Sequence, residues 1–187
     1  MQISLTKKDY ISLKAMFNAT GGGPYNRTAL MYVHYNHEKQ EFVATDGHIM
    51  VIKPLALFST IFPDLNPEKS FLLEKSQFGL MSSAIQPSGN IITINETLLE
   101  ENEYPEYYKA IPGPDRIKAI SEIGLDFELV ERFLKCFPGC KCNNFNLTFT
   151  GPIGAILITY CPITKEQFFV GIIMPRAIEK IEEETHD

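Results

Sequence analysis

Glu41-Phe42-Val43-Ala44-Thr45-Asp46-Gly47-His48-Ile49-Met50-Val51-Ile52 is the stretch on which the reading of this chain depends. Apolar residues occupy both parities of the run, so a strand here is covered on both faces rather than half in water. Asp46-Gly47 interrupts it, and Gly accepts the positive φ that a turn or a bulge requires. The stretch reads as a hairpin or a kinked strand.

Before it, Gln2–Leu5 can form a strand, and Thr6 with Asp9 three residues on is close to a capping box. Tyr10, Leu13 and Phe17 then repeat at helical spacing with Met16 beside them, which predicts an amphipathic helix over residues 7–18. Gly21-Gly22-Gly23-Pro24 ends it, and strands are expected at 29–35 and 42–52. Pro54, Pro63 and Pro67 make residues 54–69 a connection. Short strands are expected at 71–73 and 91–94, with a short helix at 77–84 and an acidic loop at 98–103. Past Gly113-Pro114 the order returns: a strand over 117–125, then a helix capped by Asp126. In that helix Val130, Phe133, Leu134 and Phe137 fall at i, i+3, i+4 and i+7. Pro138-Gly139 stops it, and strands follow at 145–150, 155–160 and 168–174. Strand–helix–strands thus occurs twice without a literal sequence repeat.

The 187 residues suffice for one large domain or two small ones, with 44% hydrophobic and 21% charged residues. A formal charge of −6 argues against coating nucleic acid by net charge, while a local basic stripe is still able to meet phosphates. Met1 to Lys8 lacks a signal-peptide layout and no run approaches membrane-spanning length. The expectation is a cytoplasmic chain with no membrane contact and four reduced cysteines.

The order Ala44-Thr45-Asp46-Gly47-His48 followed by apolar residues resembles a segment of the bacterial DNA polymerase III β sliding clamp. That family is the ring-shaped processivity factor of DNA replication. Two further segments resemble it in the same order. Tyr104-Pro105-Glu106-Tyr107-Tyr108-Lys109-Ala110-Ile111-Pro112 is similar to the clamp's aromatic-Pro-Asp-Tyr segment ending in an apolar residue and Pro. Phe169-Val170-Gly171-Ile172-Ile173-Met174-Pro175-Arg176 is similar to the strand that closes the clamp in Met-Pro and a basic residue. Residues 126–137 look like its last helix.

The resemblance implies an α+β, DNA-clamp-like fold: repeated strand–helix–strands units with antiparallel sheets and the helices on one face. It implies residues 1–112 as one clamp-like domain, 113–176 as a half domain, and 177–187 as an acidic tail. It implies a cleft for short peptide motifs of DNA polymerase or other replication proteins. Carried over position by position, that cleft contains Thr45, Gly47, His48, Met50, Pro105, Lys109, Ala110, Ile172, Ile173, Met174, Pro175 and Arg176. The resemblance also implies weak, sequence-independent DNA contact by the helices, which offer Lys7, Lys8, Lys14, Arg132 and Lys135. Glu128 and Glu131 interrupt that stripe, and ordinary solvated helix faces read equally well. Two positions depart from the clamp pattern: Ile49 stands where a basic residue follows His, and Tyr108 where an arginine stands. The length is that of about one and a half clamp domains, so a closed ring needs more chains than the bacterial dimer.

Three functional readings follow. The first is a sliding-clamp-like processivity factor, assembled as a homo-oligomer and without catalysis of its own. The second is a monomeric clamp-fold module that binds peptides and never encircles DNA. The third is a small hydrolase using Asp46 and His48. No nucleophile motif accompanies that pair, and Gly21-Gly22-Gly23 leads into Pro24-Tyr25 rather than a phosphate-binding Gly-Lys-Ser/Thr, so no cofactor is expected. Asp46 is better explained as a turn residue bonding its own backbone.

Cys136, Cys140, Cys142 and Cys161 invite a structural zinc, but paired zinc ligands usually stand two residues apart and these do not. Reduced, partly buried thiols are expected, with His34 and His37 a surface pair. The purified chain should carry no stoichiometric metal and melt at the same temperature with and without chelator; one zinc per chain by elemental analysis overturns this.

Overall fold

The computed structural model describes residues 2–21, 28–58, 69–74, 90–93, 104–120, 123–140, 144–161 and 166–176. The elements expected at 77–84, 98–103 and 177–187, and Cys142, lie outside these residues. The described chain is α+β and wholly antiparallel. Its elements in order are β1 (Gln2–Leu5), α1 (Lys7–Met16), β2 (Val33–Asn36), β3 (Glu41–Thr45), β4 (Ile49–Pro54), β5 (Phe71–Leu73), β6 (Asn90–Thr93), α2 (Phe127–Lys135), β7 (Phe145–Phe149), β8 (Ile156–Tyr160) and β9 (Phe168–Ile173).

β1 pairs with β6, and the other strands form one sheet in the order β5-β2-β3-β4-β9-β8-β7. That sheet takes strands from both 1–112 and 113–176, joined where β4 pairs with β9. Residues 41–52 resolve into the hairpin β3–β4, with Thr45 opposite Met50. Side chains alternate across it. Phe42, Ala44, Ile49 and Val51 face the helices, whereas Val43, Met50 and Ile52 face the other way.

Both helices lie on that first face. Tyr10, Leu13 and Met16 of α1 share one core with Phe133 of α2, with Cys136 and Phe137 just past its end, and with Tyr35, Phe42, Val170 and Ile173 of the sheet. Each large side chain buried there contributes roughly 1.5–3 kcal/mol. Thr6 caps α1, its hydroxyl accepting from the Asp9 N–H at 3.2 Å and donating to the Asp9 carboxylate at 2.7 Å. Asp126 caps α2 through the Glu128 N–H at 2.9 Å.

A β-bulge in β9 sets which of its residues face which way. Ile158 pairs with Gly171 and Thr159 with Phe169, so Val170 is the extra residue. Val170 and position 171 consequently share the helix-facing side. Gly171 has φ +149, and a Cβ there would collide with the Met50 carbonyl and come within 2.8 Å of the Phe133 ring. Only glycine fits that conformation and that gap.

Two expected strands differ. Residues 29–31 belong to a 3₁₀ turn (Thr28–Met31), and β2 begins at Val33. Residues 117–125 do not form a strand among the described positions; Lys118 donates to the Phe149 carbonyl and Gly124 bridges to Arg176. The segment is rich in isoleucine, but among its described residues these two contacts stand apart rather than in a continuous ladder, and Ile117 is exposed.

Polar groups also enter the helix-side core. Asp9, Ser12 and Lys53 are all buried. The Lys53 ammonium donates to Ser12 Oγ at 2.5 Å, and that hydroxyl donates to the Cys136 carbonyl at the end of α2 at 2.5 Å. One hydroxyl thus serves a buried cation and a helix-end carbonyl. The ammonium lies 4.2 Å from the Phe58 ring centroid. Burial lowers the Lys53 pKa to about 8, partly opposed by the nearby Asp9 carboxylate. Ser12→Ala strips a partner from two buried groups at once, so a loss of roughly 2–4 kcal/mol is expected. Chemical denaturation measures it, with Ser12→Thr retaining part of the difference.

Candidate functional site

The face of the sheet turned away from the helices carries a second apolar cluster. Val43, Met50, Ile52, Ala155 and Ile172 form it with Tyr107, and Tyr104, Ile111, Leu157, Phe169 and Met174 pack against it half-buried. It draws on the same three distant segments that resemble a clamp. Alternation on β4 and β9 explains Met50, Ile172 and Met174, which share one parity outside the bulge.

The turn at one end of this strip is held by its own side chains. Asp46 Oδ1 accepts from the N–H groups of His48 at 2.9 Å and Ile49 at 3.0 Å. Thr45 Oγ1 accepts from the Gly47 N–H at 3.1 Å. Gly47 has φ +92 and open space around it, so conformation and not crowding selects glycine there. The His48 carbonyl accepts from the Met174 N–H at 2.8 Å, which ties this turn to the end of β9.

Residues 104–111 lie across β2 and β3. The Tyr104 ring stacks on His34 with centroids 4.3 Å apart. The Tyr107 hydroxyl donates to Glu41 at 2.7 Å and accepts from the Asn36 amide at 2.8 Å. Burial pushes both tyrosines well above their ordinary pKa and raises Glu41. Burial also pushes the His34 imidazole down to about 4, and its Nδ1 has no hydrogen-bond partner among the described residues. His34 is therefore half-buried with the Tyr104 ring stacked on it rather than part of a surface pair.

The twelve positions carried over from the resemblance divide as follows. Met50, Ile172 and Met174 meet in the outer cluster. Thr45, Gly47 and His48 form the turn beside them. Pro105 is half-buried, and Lys109 and Ala110 are exposed on the 3₁₀ turn Tyr107–Ala110. Lys109 is paired with Glu106 on the surface. Pro175 is half-buried and Arg176 exposed, its N–H bonded to the Gly124 carbonyl. Ile173 does not join them: its parity turns it to the helix-side core, where it is 3% exposed.

The five cations assigned to the helices are not equivalent. Lys7 and Lys14 are exposed on α1, with Ile11 between them. Lys8 is also exposed, and its chain runs so close to Gly139 that a Cβ there would stand 3.2 Å from Lys8 Cε, just past the end of α2. Lys135 pairs with Glu131 at 2.9 Å. Arg132 is drawn aside: its guanidinium bonds the Asn18 carbonyl at 3.0 and 2.6 Å and the Asp46 carboxylate at 2.6 Å. Spacing along the helix could not reveal that pairing, because Asp46 lies 86 residues away in sequence.

Among the described residues, no group of three or more His, Cys, Asp or Glu is placed to hold a metal ion, and Cys136, Cys140 and Cys161 are free thiols. No helix among them is long and apolar enough to cross a membrane.

The architecture is that of the DNA clamps. It is similar to the DNA polymerase sliding clamp from Bacillus subtilis, with a TM-score of 0.60 and 15% identity over 96% of this chain and 65% of that one. DNA polymerase III subunit beta from Borrelia burgdorferi, in complex with a natural product, gives 0.56 and 12% over 96% and 65%. The Helicobacter pylori beta clamp bound to a DNA ligase peptide gives 0.59 and 12% over 95% and 66%. The chain thus spans just under two thirds of the length of each of these clamps. At such identities the likeness is one of fold. No protein-family model matches the chain, and no curated protein does.

Because His34 is held neutral in the fold, the unfolded chain takes up its proton first. The stability it contributes is full above about pH 6.5 and is lost as the pH falls toward 4. Wild-type protein should lose up to roughly 3 kcal/mol against His34→Phe over that interval. Paired thermal melts across the range check it.

Proposed function

We propose that this chain is a clamp-type binding protein of DNA replication, without catalysis, whose outer strip receives short apolar peptides of DNA polymerase or other replication proteins. The observation that supports this best is the meeting of three segments distant in sequence. The His48 carbonyl bonds the Met174 N–H, and Met50, Ile172 and Met174 share a cluster with Tyr104, Tyr107 and Ile111. Methionine and aliphatic walls adapt to varied apolar anchors, and the exposed Arg176 is available to an acidic flank. A solved structural neighbour, the Helicobacter pylori beta clamp, is bound to a DNA ligase peptide. Ile173 is left out of this site. The clamp-like division at residues 112/113 and a ring of several copies with Lys7 and Lys14 toward DNA complete the reading.

A second reading, the monomeric peptide-binding module, is favoured by the charges on the helices. Arg132 and Lys135 are engaged by Asp46 and Glu131, and Glu128 and Glu131 are exposed on α2. The hydrolase reading loses its base, since both Asp46 oxygens serve backbone N–H groups and Arg132.

Met174→Arg is the deciding variant. Met174 is half-buried at the rim, so thermal stability should drop by only about 1 kcal/mol while affinity for an apolar peptide falls more than tenfold. A stability loss of several kcal/mol with unchanged peptide affinity would make Met174 a core residue and end the peptide reading. Light scattering with and without circular DNA then separates the two forms. A symmetric oligomer whose retention on DNA is lost in Lys7→Glu/Lys14→Glu supports the ring, whereas a monomer that binds peptide and ignores DNA supports the module.

A further inference from the structure

Arg132 belongs to α2, on the face opposite the strip, yet it reaches the turn that borders the strip. Its guanidinium gathers three elements. It holds the Asn18 carbonyl beyond the end of α1 through Nε at 3.0 Å and Nη2 at 2.6 Å, and the Asp46 carboxylate of the β3–β4 turn through Nη2 at 2.6 Å. The two charged side chains are 23% and 14% exposed, so water and salt screen this pair much less than a surface pair. Gly21 lets the chain after α1 close on the same turn, since a Cβ there would stand 3.3 Å from Asp46 Cβ.

The carboxylate divides its work between its oxygens. Oδ1 takes the N–H groups of His48 and Ile49, and Oδ2 takes Arg132. An unanchored carboxylate can rotate and exchange those amides with water; one clamped at Oδ2 cannot. The orientation of the turn then passes to the strip through the His48 carbonyl, which holds the Met174 N–H at 2.8 Å. Gly47 and His48 are exposed; the turn is closed by its own bonds, Gly47 N–H to Thr45 Oγ1 and Asp46 N–H to the Ile49 carbonyl, and among the described residues its hydrogen bonds to the rest of the protein run through His48 and Asp46.

We propose that the Arg132–Asp46 pair sets the pose of the Gly47–His48 turn against the end of β9, making Arg132 a positioning residue for peptides on the opposite face. This rests on the peptide-binding reading of the strip. It also removes Arg132 from the cations free to meet phosphate and gives it a different task.

The test uses Arg132→Met, Asp46→Asn, their double variant and Arg132→Lys, on the full chain. Asp46→Asn keeps the Oδ1 acceptor and so removes the ion pair while sparing the turn's own bonds. Amide hydrogen exchange at Gly47, His48 and Ile49 is followed by NMR, and a labelled hexapeptide with Leu and Phe anchors and an Asp flank is titrated in parallel. Each single variant should speed exchange at His48 severalfold and weaken the peptide about tenfold, with the double variant no worse than the worse single and Arg132→Lys partly restored. Unchanged exchange at these amides in folded Arg132→Met overturns the proposal, as do strictly additive losses of affinity. If Arg132→Met does not fold, Arg132→Lys and Asp46→Asn decide it by the same two measurements. Wild-type protein that does not bind the peptide sinks the peptide reading instead, and exchange at His48 still decides whether the pair holds the turn.

Discussion

At position 171 the backbone of β9 runs so close to the Met50 carbonyl that a Cβ would strike it, and the Phe133 ring closes the helix side of the gap. That approach lets β4 and β9 lie side by side, and their pairing makes one sheet from strands at opposite ends of the chain. The consequences run to both faces. Toward the helices, Val170 and Ile173 complete the core beneath α1 and α2; away from them, Ile172 and Met174 are set beside Met50. The part of the outer strip that β9 supplies sits beside Met50 because position 171 lacks a side chain.

The helix-side core is unusual in admitting a lysine. Lys53 is 2% exposed, and its ammonium is met by Ser12, by the Phe58 ring and by the field of Asp9. Burying a charge is tolerated only when hydrogen bonds and opposite charge replace water. Here the same hydroxyl that receives the ammonium also caps the carbonyl at the end of α2, so the polar groups join α1, α2 and β4 at one point. Arg132 makes a comparable junction nearer the surface, among α2, the end of α1 and the β3–β4 turn.

Much of this was legible in the sequence where local chemistry decides. Asp46-Gly47 announces the turn, Val130, Phe133, Leu134 and Phe137 announce α2, and Thr6 and Asp126 mark the starts of both helices. Of the positions singled out by the three segments that resemble a clamp, Met50, Ile172 and Met174 share the outer cluster. What escaped depends on contacts made across the chain. Ile173 was misplaced because the resemblance takes in consecutive residues of β9, whereas a strand sends adjacent side chains to opposite faces. Residues 117–125 have the composition of a strand, but their described residues meet neighbouring backbone only at Lys118 and Gly124. Lys53 had a signal that went unread: it shares the parity of Ile49 and Val51, and Asp9 and Ser12 sit on the apolar side of α1. No comparable signal exists for Arg132 and Asp46, whose meeting is set by how α2 packs over the hairpin.

The β4–β9 pairing also bears on how such a chain comes together. Val51 and Gly171 are partners across about 120 residues, so the contact that unites the sheet carries a long loop-closure cost and has to wait for late-made sequence. During synthesis the β3–β4 hairpin can form early, but the β4 edge then stays open and the floor beneath α1 lacks Phe133, Val170 and Ile173. An unpaired, apolar strand edge is where chains join wrongly. For this molecule the vulnerable interval is the time between the emergence of β4 and that of β9, and its length is set by the rate of translation rather than by any property of the finished fold.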